Sequence, residues 1–283
     1  MNRTGIFFTY FQGQRLRDFP QALEGLLSRD NVLYYDAVYD ATNGLFYLQP
    51  VTERLLLEVH SREMARKVMS TDDYEAALYS AGGTMHAACE IWKGVIDNAF
   101  VFTSFGDHHA GRDFFGGMCY FNGAALAIAD LRSRGVTKFA IVDTDAHHAD
   151  GTRDIFREDI EVLHVCFCWQ DYADACNNVD IAIPHHTSDQ HYLEQVEKEF
   201  VPRAKEFRPE IIFWELGYDA TRGEYGDKGL TPHVHVSLAE LLRQTADKVC
   251  RGRLITILCG GSRRDLARYI IPKVIDVLSG GSG

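Results

Sequence analysis

The sequence predicts an α/β fold with a mostly parallel central sheet and helices on both of its faces. Three observations carry this. Strand-like and helix-like segments alternate along the whole chain, and the strand candidates are apolar throughout rather than at every second residue. Several of them also run straight into short stretches of histidine, carboxylate and glycine. Such alternation builds βαβ units, and strands without a polar face are buried on both sides.

Taken in order, apolar runs place strands at 5–9, 31–35, 99–104, 138–142, 162–167, 211–216 and 254–258. Helical periodicity places helices between them at 21–27, 52–69, 74–97, 123–134, 193–207, 237–250 and 264–278. There is no repeat, Pro/Ser-rich linker or long charge block, so residues 1–279 read as one domain. The final Gly280-Gly281-Ser282-Gly283 reads as a flexible tail.

Composition narrows the function. A chain with 46% hydrophobic and 24% charged residues suits a globular protein with a sizeable core. No apolar run approaches the ~20 residues of a membrane span, and the first residues lead into a strand rather than a signal peptide. A net charge of −11 argues against direct nucleic-acid binding. The seven cysteines show no Cys-x-x-Cys spacing and mostly sit among apolar neighbours, which predicts reduced thiols in a cytoplasmic protein. Cys166 and Cys168, on one face of a strand, read as small hydrophobes.

The most informative stretch is Val142-Asp143-Thr144-Asp145-Ala146-His147-His148-Ala149-Asp150-Gly151. If the chain stays extended beyond Val142, Asp143, Asp145 and His147 share one face. Such groups are costly to bury unless paired or bound to a metal. Ligands of parallel sheets sit beyond the carboxyl ends of the strands. Three other strand ends offer Gly106-Asp107-His108-His109-Ala110-Gly111, Gly217-Tyr218-Asp219 and Gly260-Gly261-Ser262-Arg263-Arg264-Asp265. Four ends converging on one rim outweigh any single motif.

On these residues the chain resembles the histone deacetylase, acetylpolyamine amidohydrolase and acetoin-utilisation family, over roughly 51–278. The matching motifs are His108-His109-Ala110, Gly117-Met118-Cys119-Tyr120-Phe121-Asn122, Asp143 through Gly151, and Gly217-Tyr218-Asp219. Leu56-Leu57-Glu58-Val59-His60-Ser61 and Tyr74-Glu75-Ala76-Ala77 resemble the family's N-terminal helices. The resemblance implies the three-layer arginase/deacetylase-like fold and one catalytic Zn²⁺ on Asp145, His147 and Asp219, with an open position for water. Two carboxylates make the set hard enough for Fe²⁺ or Co²⁺. It further implies His109 as general base and acid, His108 as its electrostatic neighbour, and Asp143 and Asp150 as their respective partners. A structural K⁺ on backbone oxygens around 143–147 belongs to the same pattern. Arginase-type ureohydrolases share the fold, but their pattern has a second Asp where Thr221 stands.

One departure stands out. The family's Gly-Gly-Tyr, whose hydroxyl donates to the oxyanion, is here Gly260-Gly261-Ser262. Ser262-x-x-Asp265 reads as a capping box for the last helix. Arg263 is either a solvated first-turn residue or an inward cationic donor. Met118 stands where the family often has Phe, and His185-His186-Thr187-Ser188 where it often has Pro-Gly-Thr-Gly; with Tyr218 these residues are assigned to the substrate pocket. His60 has no evident partner. The expected activity is zinc-dependent hydrolysis of an N-acyl amide on a small-molecule or acyl-lysine-like substrate. The competing expectation is a zinc-containing acyl-ligand binding protein with little turnover.

Overall fold

The computed structural model describes residues 2–9, 22–36 and 46–281. Among the described residues ten strands form a single sheet: β1 (Thr4–Phe8), β2 (Val32–Asp36), β3 (Phe46–Tyr47), β4 (Asn98–Phe102), β5 (Phe139–Asp143), β6 (Val162–Cys168), β7 (Tyr172–Ala173), β8 (Asn178–Ala182), β9 (Ile211–Leu216) and β10 (Leu254–Leu258). Their order is β3-β2-β1-β4-β10-β9-β5-β6-β8-β7, and every pairing is parallel except β7 with β8.

The apolar strands sort their side chains to two cores, as period-two geometry requires. Phe100, Phe102, Ala140, Val142, Ile212, Trp214, Leu254 and Leu258 enter one cluster. Ala99, Val101, Phe139, Ile141, Ile211, Phe213, Ile255 and Ile257 enter the other. The first cluster is closed by α7 (Asp189–Glu199), α8 (Val201–Phe207), α9 (His233–Cys250) and α10 (Arg264–Leu278), together with α1 (Glu24–Leu27). The second is closed by α2 (Glu53–Val59), α3 (Arg62–Met69), α4 (Tyr74–Trp92) and α5 (Gly123–Ser133), with Phe156 of α6 (Asp150–Phe156). The three-layer expectation is met. Among the described residues no helix is long and apolar enough to cross a membrane.

Local chemistry explains where elements differ from the sequence reading. The expected helix 52–69 is two helices, because Ser61 is a second N-cap whose hydroxyl accepts from Met64 N at 3.2 Å while His60 is extended. The helix expected at 193–207 starts at the Ser188 cap and divides at Phe200, ahead of Pro202. The β7–β8 hairpin went unread because its turn is built by Asp174, whose Oδ1 accepts from Cys176 N and Asn178 N (2.8 and 3.0 Å), rather than by glycine. The start of the helix expected at 21–27 falls outside the described residues, as do the last two residues of the tail.

The four strands singled out for their polar ends, β4, β10, β9 and β5, are consecutive neighbours in the sheet. Their carboxyl ends therefore form one continuous rim.

Candidate metal centre and catalytic pocket

Beyond β5 the chain stays extended, and each carboxylate organises the next turn. Asp143 Oδ1 accepts from Asp145 N at 2.9 Å, and Asp145 Oδ1 accepts from His147 N at 3.0 Å. Thr144 points the other way, as the alternation predicts. Its hydroxyl accepts from the buried Trp214 Nε1 at 2.8 Å and its N–H donates to Glu215 O, which locks the loop to β9. After β9 a single 3-10 turn, Tyr218–Ala220, brings in Asp219, whose Oδ1 accepts from Ala146 N at 3.2 Å.

Asp145, His147 and Asp219 thus place one donor atom each within 4.8 Å of one another. His147 Nδ1 bonds Asp145 Oδ1 at 2.9 Å and lies 3.0 Å from Asp219 Oδ2. The second contact lacks hydrogen-bond alignment, and Asp219 Oδ2 is a buried oxygen without a hydrogen-bond partner. A Cβ at Gly217 or Gly260 would collide with the Asp145 carboxylate, so both glycines let the backbone close around this point.

The electrostatics favour a cation. Burial first, then the neighbouring Asp145 charge, pushes Asp219 up to about 7. The hydrogen bond to Asp145 and the Asp219 carboxylate close beside it hold His147 up at about 10, against the lowering effect of burial. The site draws in a proton to separate two buried carboxylates, and a divalent ion of the hard or borderline kind would fill that role more fully. By orphaned oxygen, glycine cradle and donor chemistry, these residues fit such an ion.

Two histidine–carboxylate pairs flank the triad. His108 Nδ1 lies 2.8 Å from Asp143 Oδ2, both buried, and His109 Nδ1 lies 2.6 Å from Asp150 Oδ1. The imidazoles sit 4.1 Å apart between centroids, and the His109 ring is 6.0 Å from that of His147. Asp150 is the first residue of α6, a helix that the sequence reading did not include.

His60, which had no evident partner in sequence, ties this region together. Its Nδ1 donates to Gly111 O at 2.8 Å and its Nε2 accepts from Asn122 N at 3.1 Å. Asn122 in turn caps α5 and bonds Thr152. Burial depresses His60 to about 4. Its unfolded-state pKa is near 6.5, so the unfolded chain takes up the proton first as pH falls. Stability contributed by neutral His60 is therefore full above about 6.5 and is lost as pH falls toward 4, a change of ~3 kcal/mol at most. Urea midpoints should fall across that window, and His60→Gln should flatten the fall. Identical slopes in the two proteins would refute this assignment.

Of these groups His108, His109, Asp145 and His147 line a cavity of about 520 Å³ that also touches Phe105, Met118 and Gly260. Met118 is 64% exposed, held in a left-handed turn at φ 63° next to Gly117, and forms part of the cavity wall.

Other expectations are corrected. Tyr218 is fully buried beneath Gly261, so it does not line the pocket. His185 and His186 are exposed on the loop after β8, beside Gly229, and do not line the cavity either. Arg263 turns outward: its Nη2 pairs with Asp265 Oδ2 at 2.6 Å in a solvated ion pair. Ser262 is no capping residue. The carboxylate of Glu224 accepts from Ser262 N, Ser262 Oγ and Arg263 N at 2.8, 2.8 and 2.5 Å, so a distant loop clasps the turn that leads into α10.

That clasp delivers a residue absent from the sequence reading. Tyr225 follows Glu224, its ring stacks on His147 at 5.6 Å and 29°, and its hydroxyl accepts from Gly261 N at 2.8 Å. A tyrosine hydroxyl thus reaches the Gly-Gly turn from another segment. The only sequence signal was its position six residues after Asp219.

Comparisons with known proteins give the family and the fold. The model of the histone deacetylase domain matches residues 47–278. The chain is 28% identical over 294 residues to a probable deacetylase of Archaeoglobus fulgidus, covering 91% of this chain and 81% of that protein. It is 28% identical to histone deacetylase 15 of Arabidopsis thaliana and to an acetylpolyamine amidohydrolase of Burkholderia pseudomallei, spanning 40% and 59% of their lengths and 72% and 65% of its own. The crystal structure of the HDA15 HD domain matches in fold with a TM-score of 0.82 at 23% identity, over all of this chain and 91% of that one. The matched segment contains every strand end of the rim described above, and the chain belongs to the histone deacetylase domain family.

Proposed function

We propose that this protein is a zinc-dependent amidohydrolase that cleaves an N-acyl amide. It is a hydrolase acting on C–N bonds other than peptide bonds, as its named relatives are. The observation that carries the zinc reading is the convergence of Asp145, His147 and Asp219, with one oxygen of Asp219 lacking a hydrogen bond, beside the His109–Asp150 pair. When bound there, Zn²⁺ would lower the pKa of a water and polarise the substrate carbonyl.

The protein's own groups do the rest. Asp150 fixes the His109 Nδ1–H tautomer, which leaves Nε2 for the cavity. His109 takes a proton from the attacking water as its oxygen bonds the acyl carbon. It returns that proton to the amine nitrogen as the C–N bond breaks. The buried His108–Asp143 pair offers a second imidazole against the same reaction centre. Tyr225 supplies the hydroxyl donor for the developing oxyanion, with Glu224 anchoring its loop.

The ureohydrolase reading is disfavoured: the Thr221 hydroxyl, where a further ligand would stand, is buried and bonded to His235 Nε2 at 2.9 Å. The absence of a tyrosine directly after Gly261 favours the competing reading of a zinc-containing acyl-ligand binder. Paired substrates separate the two. A trifluoroacetyl-lysine amide needs less oxyanion help and should turn over faster than its acetyl counterpart. His109→Ala should reduce either rate ~10²–10⁴-fold with zinc retained. Measurable acyl-ligand binding without turnover of either amide, in zinc-loaded protein, would establish the binder instead.

A further inference from the structure

A second polar cluster, one residue along the loop from His147, has no part in the proposed hydrolysis. Cys166 and Cys168 project from one face of β6 at i and i+2, and Asp180 of β8 is the register partner of Cys166. His148 reaches the same face from the loop after β5. Both cysteines and Asp180 are buried, and the His148 side chain is 15% exposed. One donor atom from each of the four lies within 4.8 Å of all the others.

The spacing is that of a ligand shell. His148 Nδ1 lies 3.7 Å from Cys168 Sγ and 3.6 Å from Asp180 Oδ2. The second distance is too long for a hydrogen bond. Zinc bonds of 2.0–2.3 Å in a tetrahedron separate donor atoms by about 3.3–3.8 Å. Asp180 is oriented as an outer contact would orient a ligand: Arg153 Nη2 holds its Oδ1 at 2.5 Å, and Gln170 Nε2 donates to its Oδ2 at 3.0 Å. Charge also closes, since two thiolates and a carboxylate meet a divalent ion and the Arg153 guanidinium. Arg153 already accounts for a buried Asp180, but reading these cysteines as core-filling hydrophobes does not account for the His148 imidazole beside Cys168 or for the meeting of all four donor atoms.

We propose that His148, Cys166, Cys168 and Asp180 form a second, structural metal site for a thiophilic divalent cation, Zn²⁺ in the first instance. Its sulfur ligands distinguish it from the harder Asp145–His147–Asp219 set. Three of its four ligands are fixed by sheet register, and the fourth adjoins His147. The metal therefore pins the loop that presents His147. The proposal does not depend on hydrolysis.

The test uses the full chain carrying Asp219→Ala, which disables the first site, with Co²⁺ as the sole metal. About one equivalent should bind and show a near-ultraviolet sulfur-to-cobalt charge-transfer band. Adding Cys168→Ser should abolish both, while adding Cys259→Ser, whose thiol lies near Asp145 and His108, should change neither. Folded protein without the band, or a band that disappears with Cys259, overturns the proposal. Should Cys168→Ser fail to fold, zinc-edge absorption on the unaltered protein decides. Two bound zinc ions should then average about one sulfur neighbour each, and purely nitrogen and oxygen coordination refutes the site.

Discussion

Asp219→Ala should leave the protein folded and almost unable to hold zinc at the Asp145 site, with hydrolysis falling in step. Removing a hydrogen-bonded partner of a ligand typically costs 10–100-fold in affinity, and a direct ligand costs more. Asp219 contributes an oxygen without a hydrogen bond and shares the His147 imidazole with Asp145, so nothing nearby can take its place. Asp143→Asn provides the contrast. Asp143 bonds His108 and the Asp145 N–H without joining the triad, so its loss should weaken zinc by only ~10–100-fold. Metal analysis after dialysis against a zinc buffer distinguishes the two. Full zinc content in Asp219→Ala would remove the ligand assignment and the hydrolytic reading with it.

How much of this was legible in sequence follows from which interactions are local. Alternation beyond Val142 put Asp143, Asp145 and His147 on one face, because the period of a strand is fixed by its backbone. The apolar strands announced a sheet buried on both sides, and their polar ends are indeed neighbours in it. What escaped depends on long-range partners. Ser262-x-x-Asp265 has capping spacing, yet the Ser262 hydroxyl is taken by a carboxylate 38 residues away and the helix has no side-chain cap. Arg263 looked available to the pocket because its ion pair with Asp265 depends on how that turn opens to solvent. Tyr218 adjoins a site residue in sequence, but the 3-10 turn that brings Asp219 to Asp145 and His147 drives Tyr218 into the core. Cys166 and Cys168 kept their apolar reading because sequence does not show Asp180 across the sheet.

The Tyr225 hydroxyl should account for about 10²–10³ in turnover, the usual cost of one oxyanion donor. Tyr225→Phe is the sharp test because it keeps the ring stacked on His147 and deletes only the oxygen beside Gly261 N. Zinc content and KM should hold while kcat falls, since a donor used only in the transition state does not bind the ground state. The trifluoroacetyl substrate should suffer less than the acetyl one, its oxyanion being intrinsically more stable. Glu224→Gln should produce a milder version of the same profile. It weakens the clasp on Ser262 and Arg263 that places the Tyr225 loop while leaving the phenol intact. Arg263→Ala should leave kcat unchanged, because its guanidinium faces Asp265 and solvent. If Tyr225→Phe keeps full turnover and Arg263→Ala loses it, the donor is the arginine after all, reached by a rearrangement of the Gly260–Arg263 turn.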